Sequence, residues 1–200
     1  NDKFLSFVPF VTAKEEKRKI FLTYRITKYA VVNKFDAEKS HYPTFATQIF
    51  QKEFSNQIKI TISHIEALLL DYVIDCSHIL SISDIEMMYS AKTYNLLNML
   101  MTMDCIIKSR AKITAAKQSK YKLMFSKDAI AIKAAEVIAE LRALKLVNAK
   151  GFPTRVFSRY LPIFDIYPEI GDIVASELKH WLLQKVKAAQ QLSQKEYNLT

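Results

Sequence analysis

Apolar side chains recur at helical spacing in the middle of the chain and predict a buried helix there. Ser63 with Glu66 three places later is the pattern of a capping box, so we expect this helix to begin at Ser63. Its buried face carries Ile65, Leu68, Leu69, Tyr72, Val73 and Cys76. Upstream, the spacing predicts another helix from Thr44 through Phe45, Ile49, Phe50 and Phe54, whereas residues 15–33 show only a ragged helical pattern.

A short helix, a turn and a longer helix follow in the pattern. Ser83 is the predicted N-cap of residues 84–89, in which Ile85, Met88 and Tyr89 point inward. After a turn at residues 90–91, a helix over residues 92–103 is expected to bury Leu96, Met99, Leu100 and Met103. The same spacing turns four polar side chains outward, namely Thr93, Asn95, Asn98 and Thr102.

Residues 105–127 alternate short apolar groups with basic side chains and contain no acidic residue. The pair Ile106-Ile107 before the basic run and Leu123 to Phe125 after it predict the two strands of a β-hairpin, with a polar tip over residues 114–120. The seven basic side chains are Lys108, Arg110, Lys112, Lys117, Lys120, Lys122 and Lys127.

The last third of the chain is again helical in pattern. Ser126 is the predicted cap of a long helix with the apolar stripe Ile130, Ala134, Val137, Ile138, Leu141 and Leu144. Residues 151–153 mark a break, and a further amphipathic helix over residues 169–190 carries Ile173, Val174, Leu178, Trp181, Leu182 and Val186 on one side. Only two glycines among 200 residues favour a mostly α fold.

The order of these elements is that of a winged helix-turn-helix domain. We therefore predict a mostly α fold with a small β-hairpin, divided into an N-terminal helical extension (1–62), a winged helix-turn-helix DNA-binding domain (63–146) and a C-terminal helical dimerisation region (147–200). The net charge of +9 makes nucleic acid, or less often an anionic membrane surface, the expected partner.

In such a domain the third helix reads bases in the major groove and the wing contacts phosphates. The candidate base-reading residues are Lys92, Thr93, Tyr94, Asn95 and Asn98, although Tyr94 could instead fold back into the core. The candidate wing contacts are Lys108, Arg110, Lys112, Lys117, Gln118, Lys120 and Lys122.

Two stretches within residues 63–141 carry a family resemblance. ISDIEMMYSAKTYNLLNMLMTMDCIIKSR and KYKLMFSKDAIAIKAAEVIAEL resemble the helix-turn-helix, wing and following helix of MarR-type regulators and their SarA-like branch. The resemblance implies a homodimer whose N- and C-terminal helices intertwine, with two wings straddling one operator. The chain departs from the family at the wing tip, where Ala116 to Lys120 replace an Asp and an Arg, and at Asp104-Cys105, where a Gly is usual.

Other classes of function find little in the sequence. No glycine-rich phosphate loop, nucleophile elbow or paired acid motif is present, so we predict neither an enzyme nor a cofactor. The four histidines are scattered without metal-ligand spacing, and the methionines are expected to fill the core. Cys76 and Cys105 are expected to be buried thiols of a cytoplasmic protein, Cys105 being the better candidate for redox sensing. No apolar run is long enough for a membrane span.

Two functions stay open from the sequence. The first is a homodimeric, sequence-specific regulator of transcription that binds double-stranded DNA and responds to a small-molecule or protein effector. Residues 167–181 could line an effector pocket near the dimer interface, or could form an ordinary apolar contact. The second is a winged-helix replication or partition initiator, or a scaffold for protein interaction.

Overall fold

Helices account for all the regular structure within residues 2–34, 41–76, 80–109, 113–143 and 152–197, which are the residues that the structure, a computed structural model, describes. A π-helical turn at Val156–Tyr160 joins two of them. The α-helices are α1 (Asp2–Leu5), α2 (Lys14–Lys34), α3 (Tyr42–Phe54), α4 (Ile62–Cys76), α5 (Ile82–Met88), α6 (Ala91–Lys108), α7 (Ala115–Met124), α8 (Lys127–Ala143), α9 (Phe152–Arg155), α10 (Leu161–Phe164) and α11 (Pro168–Tyr197).

Helix α8 forms the centre of the bundle. Its residues are buried on every side from Ala129 to Ala135 and again from Val137 to Ala139. Many of them are alanines, whose small side chains let neighbouring helices approach closely. Helices α3, α4, α6, α10 and α11 therefore all pack against α8.

The N-terminal helices belong to the same body. Phe4, Val8 and Val11 join the main buried cluster, which extends along the chain to Leu178. Helix α2 packs along α4, where the Thr27 hydroxyl lies 3.0 Å from the Leu69 carbonyl oxygen. The main cluster thus draws residues from all three segments into which the sequence was divided.

Polar contacts tie distant parts of the chain to this core. The Arg142 guanidinium at the end of α8 donates to Glu53 of α3 at 3.1 Å and to Glu177 of α11 at 2.8 Å. A Cβ at Gly171 would displace the Asp165 carboxylate and would lie 3.3 Å from the Asp165 Cα. None of the helices in the described ranges is long and apolar enough to cross a membrane.

The predicted β-hairpin wing is wrong, since the described part of residues 105–127 contains helix and no strand. Ile107 continues the buried face of α6 at helical spacing after Leu100 and Met103, so the helix runs on to Lys108. The predicted hairpin tip, residues 114–120, lies mostly within α7. It has no glycine or asparagine to form a tight hairpin turn, and its Ala, Lys, Gln, Leu and Met residues favour helix.

Two predicted helix starts also need correction. Helix α4 begins one residue before Ser63, and α5 begins at Ile82 with Ser81 as its N-cap. The Ser81 hydroxyl accepts from the Asp84 N–H at 3.2 Å, while the Asp84 carboxylate accepts from the Ser81 N–H at 2.8 Å. This capping box lies two residues before the expected Ser83 cap, and it leaves Met88 exposed instead of buried.

The cap of α8 is confirmed. The Ser126 hydroxyl accepts from the Ala129 N–H at 3.2 Å, and the predicted stripe from Ile130 to Leu141 is buried. Leu144 lies outside the described residues.

Candidate nucleic-acid interface

Helices α4, α5 and α6 form a three-helix unit with a tight turn before α6. Leu70 and Val73 of α4, Ile85 of α5 and Leu97 of α6 pack together in a second buried cluster, which Ala30 of α2 completes. Only Tyr89 and Ser90 separate α5 from α6. The unit therefore has the order of helices that a helix-turn-helix has, and α6 is its third helix.

A chain of hydrogen bonds fixes the start of α6. The Ser90 hydroxyl caps the helix by accepting from the Thr93 N–H at 3.2 Å. The Thr93 hydroxyl donates to the Glu66 carboxylate of α4 at 2.8 Å, and Lys19 lies 3.3 Å from the other oxygen of Glu66. Thr93 is fully buried, so the prediction that it points outward is wrong, and Glu66 anchors α6 instead of capping its own helix.

The opposite face of α6 is open and polar. Residues 91, 95, 98, 102 and 105 follow one another at intervals of four and three, and all are exposed except the half-buried Asn98. None of these five side chains is a carboxylate, and Lys92 lies beside them at the N-terminal end, 3.8 Å from Asp128. Tyr94 is half-buried against the second cluster, and Cys105 is exposed, contrary to its expected burial.

Helix α7 carries exposed lysines on a short amphipathic element. Lys117, Lys120 and Lys122 are exposed, whereas Tyr121 and Phe125 turn towards the core with their ring centroids 5.9 Å apart. Gln118 is half-buried and donates to the Pro162 carbonyl oxygen at 2.8 Å, so its side chain already has a structural contact.

The remaining wing candidates are separated from α7. Lys108 is exposed at the end of α6, while Arg110 and Lys112 lie outside the described residues. The turn after α7 nevertheless returns the chain to α6, because the Ser126 N–H points to the Met99 sulfur at 3.5 Å. The turn that follows α7 therefore lies against α6, while α7 itself packs against α10.

A histidine that the sequence reading did not single out lies beside the start of α6. His64 is buried, its Nδ1 accepts from the Thr61 N–H at 2.9 Å, and its Nε2 lies 2.7 Å from Asp128. Asp128 is also 3.8 Å from Lys92. Burial lowers the pKa of His64 below its usual value, although Asp128 opposes that shift. The Thr61 contact agrees with this direction, since Nδ1 can accept only while it carries no proton.

A buried charge cluster joins α4, α6 and α8. The Lys133 ammonium lies 2.6 Å from Asp71, 3.1 Å from Asp104 and 2.8 Å from Glu136. Burial alone would lower the pKa of Lys133, but the three carboxylates outweigh it and hold that pKa well above its usual value. Burial raises the pKa of Glu136 well above its usual range, with Lys133 opposing the shift.

The sequence contains a signal for this cluster. Lys133, Glu136 and Glu140 recur at intervals of three and four in AIAIKAAEVIAEL, so they share one narrow face of an otherwise apolar helix. Burial of Lys133 and Glu136 on that face requires partners. A cavity of about 150 Å³ adjoins the cluster, and Tyr160 lines it. Burial raises the pKa of Tyr160 to about 12, so its hydroxyl stays protonated at neutral pH.

A comparison of the chain with known protein families, curated proteins and solved structures finds no match, and so identifies no MarR-like family. The described residues combine an open polar face on α6 with exposed lysines on α7.

Proposed function

We propose that this protein binds double-stranded DNA in a sequence-selective manner, with the exposed face of α6 in the major groove and α7 on the phosphate backbone. The observation that carries the proposal is the carboxylate-free polar stripe of α6, which lies on a helix anchored by buried contacts. Lys92, Asn95 and Asn98 offer donors and acceptors suited to base edges.

The charge of the chain supports the second half of the proposal. Lys117, Lys120 and Lys122 supply three exposed cations on ten residues of helix, and the whole chain carries +9. Counterion release by such lysines gives affinity without sequence preference, whereas the uncharged side chains of α6 give selectivity. Thr93 takes no part in this contact because it is buried.

We propose that the protein regulates transcription as a homodimer. Beyond Trp181, which is buried, α11 presents Leu182, Leu183 and Val186 with about half of each side chain exposed. A second copy of the chain that covers this stretch would give a dimer with two α6 helices, one for each half of a pseudo-palindromic DNA site.

The test is a selection of bound duplexes from a random pool, followed by salt titrations of the selected duplex and a scrambled one. Lys117→Ala with Lys120→Ala should weaken binding to both duplexes and reduce the salt slope by about two, since each phosphate contact contributes about 0.9. Asn95→Ala should leave the slope unchanged and reduce the preference for the selected duplex by about 1–3 kcal/mol.

Lys17→Ala with Lys52→Ala removes two exposed lysines, one from α2 and one from α3, and serves as the matched control. Equal slopes for the control and the α7 variant would refute the role of α7. If the selection enriched no sequence and the chain discriminated no duplex at about 150 mM salt, DNA selectivity would be refuted and a protein-interaction scaffold favoured.

A further inference from the structure

An aromatic cleft of about 480 Å³ lies between α1, α2 and α3, away from the face of α6 described above. Its volume falls in the range of small-molecule sites. Five aromatic rings among the described residues line it, and four of them, those of Phe7, Tyr24, Tyr42 and Phe45, are only half-buried. Phe4 is buried and stacks flat on Tyr24, with ring centroids 4.0 Å apart and planes inclined by 5°.

The polar groups of the cleft are basic or neutral. Lys28 and His41 are exposed at its edge, and none of the described residues that line it is acidic. The hydroxyls of Thr44 and Tyr24 lie 3.4 Å apart in the wall. An occupant that suits these surroundings has flat apolar faces for the rings and a negative charge for Lys28.

We propose that this cleft binds a planar aromatic carboxylate, with its ring against the aromatic wall and its carboxylate beside Lys28. An aliphatic acid of similar size would lack the face-to-face ring contact, and a neutral aromatic amide would lack the charge. The proposal does not depend on DNA binding, because none of the proposed DNA contacts lines the cleft.

The experiment is calorimetric titration of the full chain with 2-naphthoate, 2-naphthamide and cyclohexanecarboxylate. We expect 2-naphthoate to bind one per chain, and the other two compounds to bind at least about tenfold more weakly. Lys28→Met should weaken 2-naphthoate about tenfold and leave 2-naphthamide unchanged. Lys17→Met, which removes an exposed lysine of the same helix outside the cleft, should change neither.

Lys28 and Lys17 are both exposed, so neither substitution should disturb folding, and urea unfolding checks this for each variant. Absence of 2-naphthoate binding up to about 1 mM would overturn the proposal. So would equal affinity of the wild type and Lys28→Met for 2-naphthoate, since the carboxylate would then lie elsewhere. Equal binding of all three compounds would mean that neither ring nor charge is recognised.

Discussion

At the residue scale, Lys133 is a buried cation surrounded by carboxylates from three helices. It is 5% exposed and is the cation shared by Asp71, Asp104 and Glu136. An ion pair of this kind gains little over apolar packing when intact, because desolvation of the charges offsets their attraction. Removal of one member is different, since the remaining charges stay buried without their partner.

Lys133→Met should therefore lower the free energy of unfolding by about 3–5 kcal/mol at pH 7. Urea unfolding followed by circular dichroism measures this change, with the exposed Lys179→Met of α11 as the control expected to stay within about 0.5 kcal/mol. An unchanged urea midpoint for Lys133→Met would show that Lys133 does not form the buried contacts with Asp71, Asp104 and Glu136 described above.

His64 gives the chain a pH dependence whose sign follows from its contacts. Its pKa in the folded chain lies below the unfolded value of about 6.5, so the unfolded chain binds more protons between the two values. The contribution of His64 to stability is therefore present above pH 6.5 and is lost as the pH falls towards the folded pKa.

An NMR titration of the His64 imidazole should accordingly give a midpoint below 6.5 in the folded chain and a higher one in urea. The free energy of unfolding should rise with pH across this window, and His64→Gln should flatten that rise. A folded midpoint above the unfolded one would contradict the burial and the Thr61 contact together.

At the element scale, the directions of the side chains of residues 121–125 show whether this segment is a helix or a strand. In a strand, residues 121, 123 and 125 would all point to one side. Tyr121 of α7 and Phe125, the residue that follows α7, point inward, whereas Leu123 points outward: Phe125 is 2% exposed and Leu123 is 90% exposed. The two secondary structures thus predict different costs for the same pair of substitutions.

Phe125→Ala should destabilise the protein by about 3–5 kcal/mol, because it removes a buried ring, and Leu123→Ala should cost less than about 0.5 kcal/mol. Urea midpoints of the two variants measure the difference. Similar losses of stability for the two variants would contradict the helical assignment of α7.

The elements that could be predicted are those with a sustained period and a clear cap. Helix α8 has both, with Ser126 at its start and apolar residues throughout. Helix α4 has the period from Ile65 to Val73 but begins one residue before its predicted cap. Ile106-Ile107 was misread because a two-residue apolar pair fits a strand as well as the last turn of a helix. Only the alignment of Ile107 with Met103 and Leu100 decides between them.

Residues of the candidate site were predictable to different degrees. The exposure of Asn95 follows from spacing alone, whereas Thr93 is drawn inside by a hydrogen bond to Glu66, a residue 27 positions away. The aromatic cleft combines Phe4, Tyr24 and Phe45 from three helices, and no local pattern reports such a meeting. The burial of Thr93 and the aromatic cleft both depend on contacts between residues far apart in the sequence, which local patterns do not predict.

At the scale of the whole molecule, α11 carries the surface through which we propose that two chains associate. Its first half packs on α8 and α10, while Leu182, Leu183 and Val186 of its second half remain exposed. Exposed apolar side chains that follow one another on a helix mark a surface for association.

Light scattering should give twice the monomer mass of 23.1 kDa for the wild type and the monomer mass for Leu183→Glu with Val186→Glu. Met87→Glu replaces an exposed apolar residue of α5, 78% exposed, and should leave the dimer intact. A monomeric wild type at about 100 µM would refute the dimer and leave the cleft proposal untouched.

The position of α8 also limits how this protein can be divided or recombined. A helix enclosed by neighbours from both ends of the chain cannot be excised with only its adjacent segments. The fragment of residues 63–146 would lose α3 and α11, and water would then reach the alanine and isoleucine faces that those helices cover. Such a bundle is expected to fold as a single unit and to tolerate insertions at helix ends and exposed turns, but not the exchange of an internal segment.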